Sequence, residues 1–302
     1  MAEKGEAMKY GQKRFIFGFL FIPLLLYTVF VVLPYVSAIL IAFTRWRGVA
    51  ANITFNGLNN FARLAQDELF LNALKNNAKV LLTLPTITIA LALLFAALFT
   101  RGLRGQRFFR TTFFFPQVLS MAVVGVLFNF VYHPTLGILS NTFKVLGIKE
   151  LSTFPWLGDV ATVLPAIVFV AIWQATGFYM VLFMASMGSI PTEFYEAAKI
   201  DGAGEWDIFW KITLPLLRES LRTAVVFLMI MAMDMFVYVS FLTNETGGPG
   251  RAAQVLSSYL YQTAFRQGNF GYGTTLAVVL MMVVLVLSII GLRAGSQETV
   301  EY

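Results

Sequence analysis

The sequence predicts an all-α, polytopic membrane protein with six transmembrane helices, and three observations support this fold class. Hydrophobic residues make up 58% of the 302-residue chain and charged residues only 13%, which is far from the composition of a water-soluble globule. Charge-free apolar runs long enough to cross about 30 Å of hydrocarbon recur along the whole length. Each run is predicted to be a helix, because an isolated strand would leave its backbone groups unpaired in lipid. This composition excludes a soluble enzyme.

The apolar runs predict one membrane domain, residues 15–292, between short tails at 1–14 and 293–302. The predicted spans cover residues 15–43, 76–99, 111–132, 160–187, 219–242 and 271–292. The first span begins like a signal peptide, but its apolar run is about twice the usual length and lacks a small-residue cleavage site. We therefore expect it to be retained, so that both tails lie on the same side of the membrane.

The basic residues predict which side this is. Most of the 22 Lys and Arg residues lie in the two tails, in the loops 100–110 and 188–218 and at Arg222. The positive-inside rule makes this more basic set cytoplasmic. Its clearest members are Arg101, Arg104, Arg107 and Arg110. Lipid headgroups and topology account for the net charge of +6, so no nucleic-acid partner is expected.

The loops assigned to the opposite side, 44–75, 133–159 and 243–270, are too short to form separate domains. In the first of them, apolar residues recur at roughly helical spacing from Asn59 to Lys75, with charged residues interleaved. We expect one amphipathic helix there, lying along the membrane surface.

The loop 188–218 contains far more structure than a linker between two spans requires. Pro191 suits the first turn of a helix, and Gly202 follows as a stop signal. A second helix is expected to start after Gly204 and to be interrupted at Pro215. Apolar residues on the first helix, outside the membrane, indicate burial against a partner protein.

Seven residues of this loop follow a fixed pattern, which is Glu-Ala-Ala, three residues, Gly, nine residues, Ile, one residue and Leu-Pro. They are Glu196, Ala197, Ala198, Gly202, Ile212, Leu214 and Pro215. The pattern resembles the EAA loop of the permease subunits of binding-protein-dependent ABC importers at every fixed position. From average residue usage, chance would produce it in a chain of this length on the order of once in a million.

Three other segments resemble carbohydrate-uptake permeases of the maltose and glycerol-phosphate transporter type, in the subunit that pairs with a different permease. They are Asn56–Phe61, Gly247–Pro249 and Gly271–Gly273. The chain departs from the maltose-type subunit in having six predicted spans, not eight, and a much shorter loop after the first span. Docking contacts carried by that subunit's large insertion are therefore not transferred.

The resemblance implies the type I ABC importer permease fold and a bacterial or archaeal-type plasma membrane, with both termini cytoplasmic. It implies four kinds of partner: a second permease subunit, ABC ATPase subunits, an extracytoplasmic solute-binding protein, and the sugar or oligosaccharide that this protein delivers. It also implies that the helix around Glu196 to Asp201 docks into a cleft of the ATPase, with Gly202 setting its angle. The sequence has no Gly-x4-Gly-Lys-Ser/Thr phosphate loop, so ATP and Mg are expected on the ATPase. We expect this chain to bind no metal or cofactor and not to be an enzyme.

The path of the solute is predicted from a carboxylate in the fifth span. Asp234 lies about 18 Å along a helix from Arg222, which places it near the membrane midplane. A carboxylate there costs roughly 2.5 to 3.5 kcal/mol and is expected to face a cavity or a partner. Aromatic rings stack on sugars and an acid accepts hydrogen bonds from hydroxyls, so this helical face is a candidate sugar path. The face comprises Phe227, Met231, Asp234, Tyr238 and Phe241.

The alternative interpretation of Asp234 is an acid hydrogen-bonded between helices. Trp173 and Gln174 in the fourth span are further path candidates. Gln117 and Asn129 in the third span are weaker ones, since such residues often join helices. The single histidine, His133, is expected in a turn or at the membrane interface.

Other functions are weighed against the importer. An ABC permease for a non-sugar solute such as glycerol phosphate stays open. An ion-coupled secondary carrier predicts inverted repeats and interrupted helices in matching halves, and the sequence shows neither. A membrane-embedded enzyme predicts a His-Glu-x-x-His or Gly-x-Ser-x-Gly motif, and the sequence contains neither.

Overall fold

The structure, a computed structural model, describes most of the chain. The described residues are 2–48, 52–100 and 105–293, with side chains from Phe15 onwards. The chain divides into two compact units. The first unit comprises residues 1–64 and 263–278, and the second comprises residues 65–262 and 279–302. In the described part of the chain almost all regular structure is helical, in agreement with the predicted all-α class.

Among the described residues, four helices are long and apolar enough to cross a membrane, and two further candidates are pairs of helices joined at a sharp bend. In chain order the six spans are Phe15–Ala42, Glu68–Thr100, Gln106–Val118 with Met121–Val131, Val163–Gly188, Arg218–Met233 with Phe236–Leu242, and Phe270–Arg293. Each overlaps one predicted span, so the predicted six-span fold is confirmed. The prediction of uninterrupted helices is wrong for two spans, because the third bends by 101° and the fifth by 45°.

The first unit begins with the helices of the first span. Helix Ala2–Tyr27 continues through a π-helical turn, Thr28–Val32, into helix Leu33–Ala42. Pro34 accounts for the wider turn, because it has no N–H to donate to a carbonyl one turn earlier. Among the described side chains of these helices only Ala42 is buried. The rest of this apolar surface is therefore available to lipid or to another chain.

A short strand pair and a short helix follow the first span. The strands are Thr44–Arg45 and Thr54–Phe55, and they pair antiparallel. In helix Asn59–Ala65, the Asn60 amide donates hydrogen bonds to the carbonyls of Ala42 and Thr44, at 2.8 and 2.9 Å. One buried amide thus satisfies a carbonyl that the end of the first span leaves without a helical partner, and a second carbonyl in the following strand.

The prediction of one amphipathic helix over Asn59–Lys75 is wrong. Helix Asn59–Ala65 ends there, and the long helix Glu68–Thr100 begins after Asp67. The Oδ1 atom of Asp67 accepts hydrogen bonds from the N–H groups of Leu69 and Phe70, at 2.9 and 3.3 Å. Asp67 is therefore the N-cap of the second span. The apolar residues keep their helical spacing across the break, and this spacing led to the prediction of a single helix.

The fourth span is the centre of the second unit. In its most apolar stretch 72% of the residues are buried, compared with 33% in the second span and 17% in the sixth. It packs most extensively against the second span. Gly177 also brings it into backbone contact with the third span, since a Cβ atom there would lie 1.8 Å from the carbonyl oxygen of Phe113.

The remaining helices are short and lie in the loops. In the loops 133–159 and 243–270 they are Ile138–Val145, Lys149–Ser152, the 3-10 turn Pro249–Arg251, Leu256–Tyr261 and the π-helical turn Gln262–Arg266. In the loop 188–218 they are Thr192–Ile200, Glu205–Ile208, the π-helical turn Phe209–Thr213, and Leu214–Leu216. The second group carries the sequence motif.

Candidate functional site

Residues 188–218, called here the motif segment, fold as the predicted helix, turn and helix. The first helix, Thr192–Ile200, starts after Pro191. At its end the N–H groups of Gly202 and Ala203 donate to carbonyls of the last turn, at 3.1 and 2.9 Å. Gly202 has a φ of +77°, and a Cβ atom there would meet nothing within 4 Å. The left-handed backbone, and not lack of space, therefore favours glycine at the turn.

The second helix of the motif segment does not break at Pro215, so that prediction is wrong. The helix begins after Gly204 and runs on to Leu216. Pro215 has no N–H to donate, and the turn before it is widened so that the Leu214 N–H bonds to Phe209 O. A π-helical turn thus accommodates the proline within a continuous helix.

Two side-chain contacts stiffen the motif segment. The hydroxyls of Thr213 and Tyr195 lie 3.5 Å apart and join its two helices. The Oγ atoms of Ser186 and Ser220 lie 2.6 Å apart and join the end of the fourth span to the start of the fifth. The segment is therefore held at both ends and across its middle.

The motif residues divide between a buried and an exposed side. Ala198 is buried, and Ile212 and Leu214 are half-buried. The exposed ones are Glu196, Ala197, Gly202 and Pro215. Large apolar side chains stand beside them, with Ile200 86% and Trp206 74% exposed. Exposed apolar surface with a polar surround is typical of a protein–protein contact.

The third span breaks at Leu119, and a hydrogen-bonded pair from two other spans closes the break. Ser120 caps the outgoing helix, and the Gln174 amide donates to the Leu119 carbonyl at 2.9 Å. The Tyr238 hydroxyl donates to Gln174 Oε1 at 2.8 Å. Both side chains are buried. The structure thus joins two predicted path residues, Gln174 and Tyr238, in contacts that hold three spans together; their role in a solute path stays a prediction.

The fifth span breaks at Asp234, so the predicted stripe along one straight helix is wrong. Helix Arg218–Met233 ends there, and the backbone of Asp234 is no longer helical. Tyr238 is buried in the second half of the span, whereas Phe227 in the first half is 60% exposed. Asp234 is exposed on the surface of the chain and Met231 is half-buried. The carboxylate therefore sits at a helix break, where the backbone departs from the helical conformation.

Asn77 in the second span supports the same break and was missed in the sequence. Its Nδ2 donates to Ala232 O at 3.0 Å, and its Oδ1 accepts from the Leu256 N–H at 2.8 Å. The neighbouring Asn76 donates to the carbonyls of Ala252 and Gln254, both at 2.9 Å. The available signal was a pair of adjacent asparagines at the start of an apolar run, where burial demands hydrogen-bond partners.

The other predicted residues have separate surroundings. The Trp173 ring packs edge-on against Phe128, with centroids 5.0 Å apart, and lines an apolar cavity of about 1040 Å³. The Asn129 amide donates to Phe241 O at 2.6 Å and so joins the third and fifth spans. His133 lies in a turn, as predicted, with Nδ1 accepting from two backbone N–H groups. Of the predicted Arg cluster, Arg101 and Arg104 lie outside the described residues.

Comparisons with known proteins identify the family. Residues 72–297 match the family model of the binding-protein-dependent transport system inner membrane component. The chain is 40% identical over 288 residues to the diacetylchitobiose uptake system permease protein NgcF of Streptomyces coelicolor, covering 92% of this chain and 81% of that protein. It is 32% identical to the multiple sugar-binding transport system permease protein MsmF of Streptococcus mutans, covering 92% of this chain and 94% of that protein.

A solved structure shows the same fold. A chain of a bacterial ABC transporter involved in the import of the acidic polysaccharide alginate superposes with a TM-score of 0.80 at 19% identity, covering 95% of this chain and 97% of that one. The predicted type I ABC importer permease fold is thereby confirmed. The matched range contains the motif segment, the last four spans and all of the second span except its first four residues. The chain belongs to the family of inner membrane components of binding-protein-dependent transport systems.

Proposed function

We propose that this chain is one of two different permease subunits of an ABC importer for a sugar or oligosaccharide. An extracytoplasmic binding protein delivers the solute, and a separate ATPase drives its movement. The complete motif, folded as helix, left-handed turn and helix, is the observation that carries the proposal. The named relatives support the solute class, because they are permeases for diacetylchitobiose, multiple sugars and, in Rhizobium radiobacter, lactose.

The motif segment is the contact through which the ATPase acts. Its exposed apolar side chains and its small Ala197 offer a surface on which a partner protein can approach closely. The Ser186–Ser220 contact, the Tyr195–Thr213 contact and the hydrogen-bonded turn at Gly202 make it stiff. A displacement of this segment is therefore passed to the fourth and fifth spans as a rigid-body movement.

The orientation follows from the same assignment. The motif segment lies in the cytoplasm with the ATPase, and six spans then place both termini there as well. The Arg-rich loop 100–110 agrees with this topology. The loops 133–159 and 243–270 face the binding protein on the other side.

The solute path passes the breaks in the third and fifth spans. Broken helices leave backbone carbonyls and N–H groups available in the membrane only where protein or water satisfies them. Asp234 stands at one such break and is exposed on the single chain, so in the assembled transporter it faces the second permease, the solute or a water-filled cavity. Phe227 and Met231 precede it on the same half-helix and supply apolar surface for a sugar face.

The function is tested by purifying the tagged full-length chain from its native membrane in mild detergent. A second permease and a Walker-motif ATPase should co-purify, and one sugar should stimulate ATP hydrolysis when the binding protein is present. Glycerol phosphate and other non-sugar solutes are tested in the same assay, and stimulation by one of these alone would replace the sugar assignment. A chain that purifies alone and transports under an ion gradient would overturn the importer.

A further inference from the structure

A cavity of about 470 Å³, called here the outer pocket, lies in the second unit at the ends of the two broken spans. Its walls come from helix Met121–Val131, from helix Phe236–Leu242 and from the loops that follow them. A Cβ atom at Gly125 would lie 2.7 Å from Phe241 Cβ, so these two half-helices are in direct contact. The volume is larger than any single side chain and lies within the range of small-molecule sites.

Two polar side chains of the outer pocket are each held in one orientation. His133 Nδ1 accepts from the N–H groups of Thr135 and Leu136, at 3.3 and 3.2 Å, so the ring proton lies on Nε2. The Asn129 nitrogen donates to Phe241 O, which leaves its Oδ1 as an acceptor. Within the described residues neither Nε2 nor Oδ1 makes a hydrogen bond. The two residues are about one helical turn apart, so the pocket offers a donor and an acceptor close together.

The wall from the second loop adds an amide and the prolines add apolar surface. Asn244 is exposed and has a φ of +49°, in the left-handed region where Asn is enriched among residues other than glycine. The apolar lining comprises Pro134, Pro155, Leu157 and Pro249. A few polar groups among apolar side chains suit a sugar, which presents hydroxyls at its edges and C–H groups on its faces.

The outer pocket carries no charge. Among the described residues that line it there is no Lys, Arg, Asp or Glu. An acidic sugar or glycerol phosphate would give up water there without a cation to replace it, which costs free energy. A neutral sugar can exchange its hydrogen bonds with water for bonds to amides and an imidazole. A side chain of a partner protein would fill only part of the volume, whereas a sugar of one or two rings would fill it.

We propose that the outer pocket binds an uncharged sugar of one or two rings as it passes from the binding protein to the breaks in the third and fifth spans. Asn129 lies about 15 Å along the third span from the break at Leu119, so the pocket precedes that break on the way inward. The inference rests on the proposed function and narrows it, because glycerol phosphate is excluded from this site.

The test measures how fast a single thiol in the outer pocket reacts. Pro155→Cys places the only cysteine of this chain at an exposed lining position. The importer complex is purified without the binding protein and treated with N-ethylmaleimide, and modification of this chain is followed by mass spectrometry. Lactose or diacetylchitobiose should slow the reaction several-fold, because a bound sugar covers the thiol. Glycerol phosphate should leave the rate unchanged. Thr246→Cys, at a second exposed lining position, gives the same measurement if Pro155→Cys does not fold.

Matched variants separate binding in the pocket from other effects. Val145→Cys lies in the same loop as Pro155, is 87% exposed and does not line the pocket, so sugar should not change its rate. Asn244→Gly in the Pro155→Cys chain should remove most of the protection, because glycine keeps the left-handed backbone and loses only the amide. Glu245→Gly, also left-handed at +63° but outside the pocket, should keep the protection.

Three results would overturn the proposal. They are no protection by either sugar, equal protection by glycerol phosphate, and protection by the binding protein alone, which would assign the pocket to a protein contact. Sugar-stimulated ATP hydrolysis is measured on the same preparation once the binding protein is added. If that stimulation persists, the loss concerns the outer pocket only and the proposed importer function stands.

Discussion

Gly202 shows how a single residue can be fixed by its backbone alone. Its φ of +77° is reached at little cost only by glycine, since other residues pay about 1–2 kcal/mol there and Asn somewhat less. Because the surrounding space is open, a side chain at this position changes the turn and not the packing. The angle between the two helices of the motif segment therefore rests on this residue.

Gly202→Val is expected to leave the chain in the membrane but to abolish sugar-stimulated ATP hydrolysis. A β-branched residue resists the left-handed turn, so helix Thr192–Ile200 is presented at the wrong angle. ATP hydrolysis by the reconstituted complex measures the effect. Gly202→Asn is the matched control and should keep most of the stimulation. Normal stimulation in Gly202→Val would contradict a coupling role for the turn.

Asp234 allows the two interpretations of an intramembrane acid to be separated. If the carboxylate faces the solute, Asp234→Leu should raise the KM for sugar uptake at least several-fold, and Asp234→Asn, which keeps an acceptor, should do so less. Uptake of labelled sugar into proteoliposomes measures KM. An unchanged KM with a lower unfolding temperature would identify Asp234 as a residue that joins helices.

At the scale of elements, the tightest glycine contact in the described structure is between the third and fourth spans at Gly177. Gly177→Ala places a methyl group 1.8 Å from the Phe113 carbonyl oxygen, so the helices must separate, at a typical cost of about 1–3 kcal/mol. Gly188→Ala, in the same helix with nothing within 4 Å, is the control. Thermal unfolding in detergent should show a loss only for Gly177→Ala. Equal midpoints would show that the contact relaxes freely.

The asparagines of the second span give a second test of how elements are held. Asn77→Ala leaves the Ala232 carbonyl and the Leu256 N–H unpaired in buried surroundings, which costs about 1–3 kcal/mol. Asn72→Ala removes one half-buried hydrogen bond to Arg251 O and should cost less. The difference in unfolding midpoint measures the contrast. A larger loss for Asn72→Ala would mean that Asn77 does not support the break.

The elements also show what a sequence can predict here. The six spans follow from apolar runs, because the bilayer fixes their length. The breaks at Leu119 and Asp234 do not, since each depends on an amide from another span, Gln174 or Asn77, to satisfy a freed carbonyl. The predicted alignment of the candidate path residues on one helical face was wrong for that reason, because it assumed a straight helix. Asp67 was a local signal for a new helix start, but the apolar spacing continues across it, and so one helix was predicted over Asn59–Lys75.

The motif, in contrast, was predictable residue by residue. The spacing of its residues predicts two short helices joined by a glycine turn, and each of these depends only on residues near it in the sequence. Only the π-helical turn before Pro215 could not be predicted. A proline inside a helix can either break the helix or widen one turn, and local sequence does not decide between these outcomes. Packing decides, as around the buried Leu217.

At the scale of the whole molecule, topology can be measured without removing any native residue, because the chain contains no cysteine. Ile200→Cys and Val145→Cys place single thiols at positions 86% and 87% exposed, in loops assigned to opposite sides. A membrane-impermeant maleimide should label Val145→Cys in intact cells. It should label Ile200→Cys only after permeabilisation and removal of the ATPase, which is proposed to cover this position. The reverse pattern would invert the proposed orientation.

The hydrogen bonds of Gln174 connect the third and fifth spans to the fourth span. The fourth span carries Gln174 near its middle and enters the motif segment at Gly188, about 21 Å further along its axis. Turning this helix about its own axis would swing the Gln174 amide away from Leu119 and Tyr238 unless both follow. A rotation of the fourth span at the ATPase end therefore has two possible outcomes in the middle of the membrane. Either the third and fifth spans rotate together with the fourth span, or the Gln174 amide loses its hydrogen bonds to Leu119 and Tyr238.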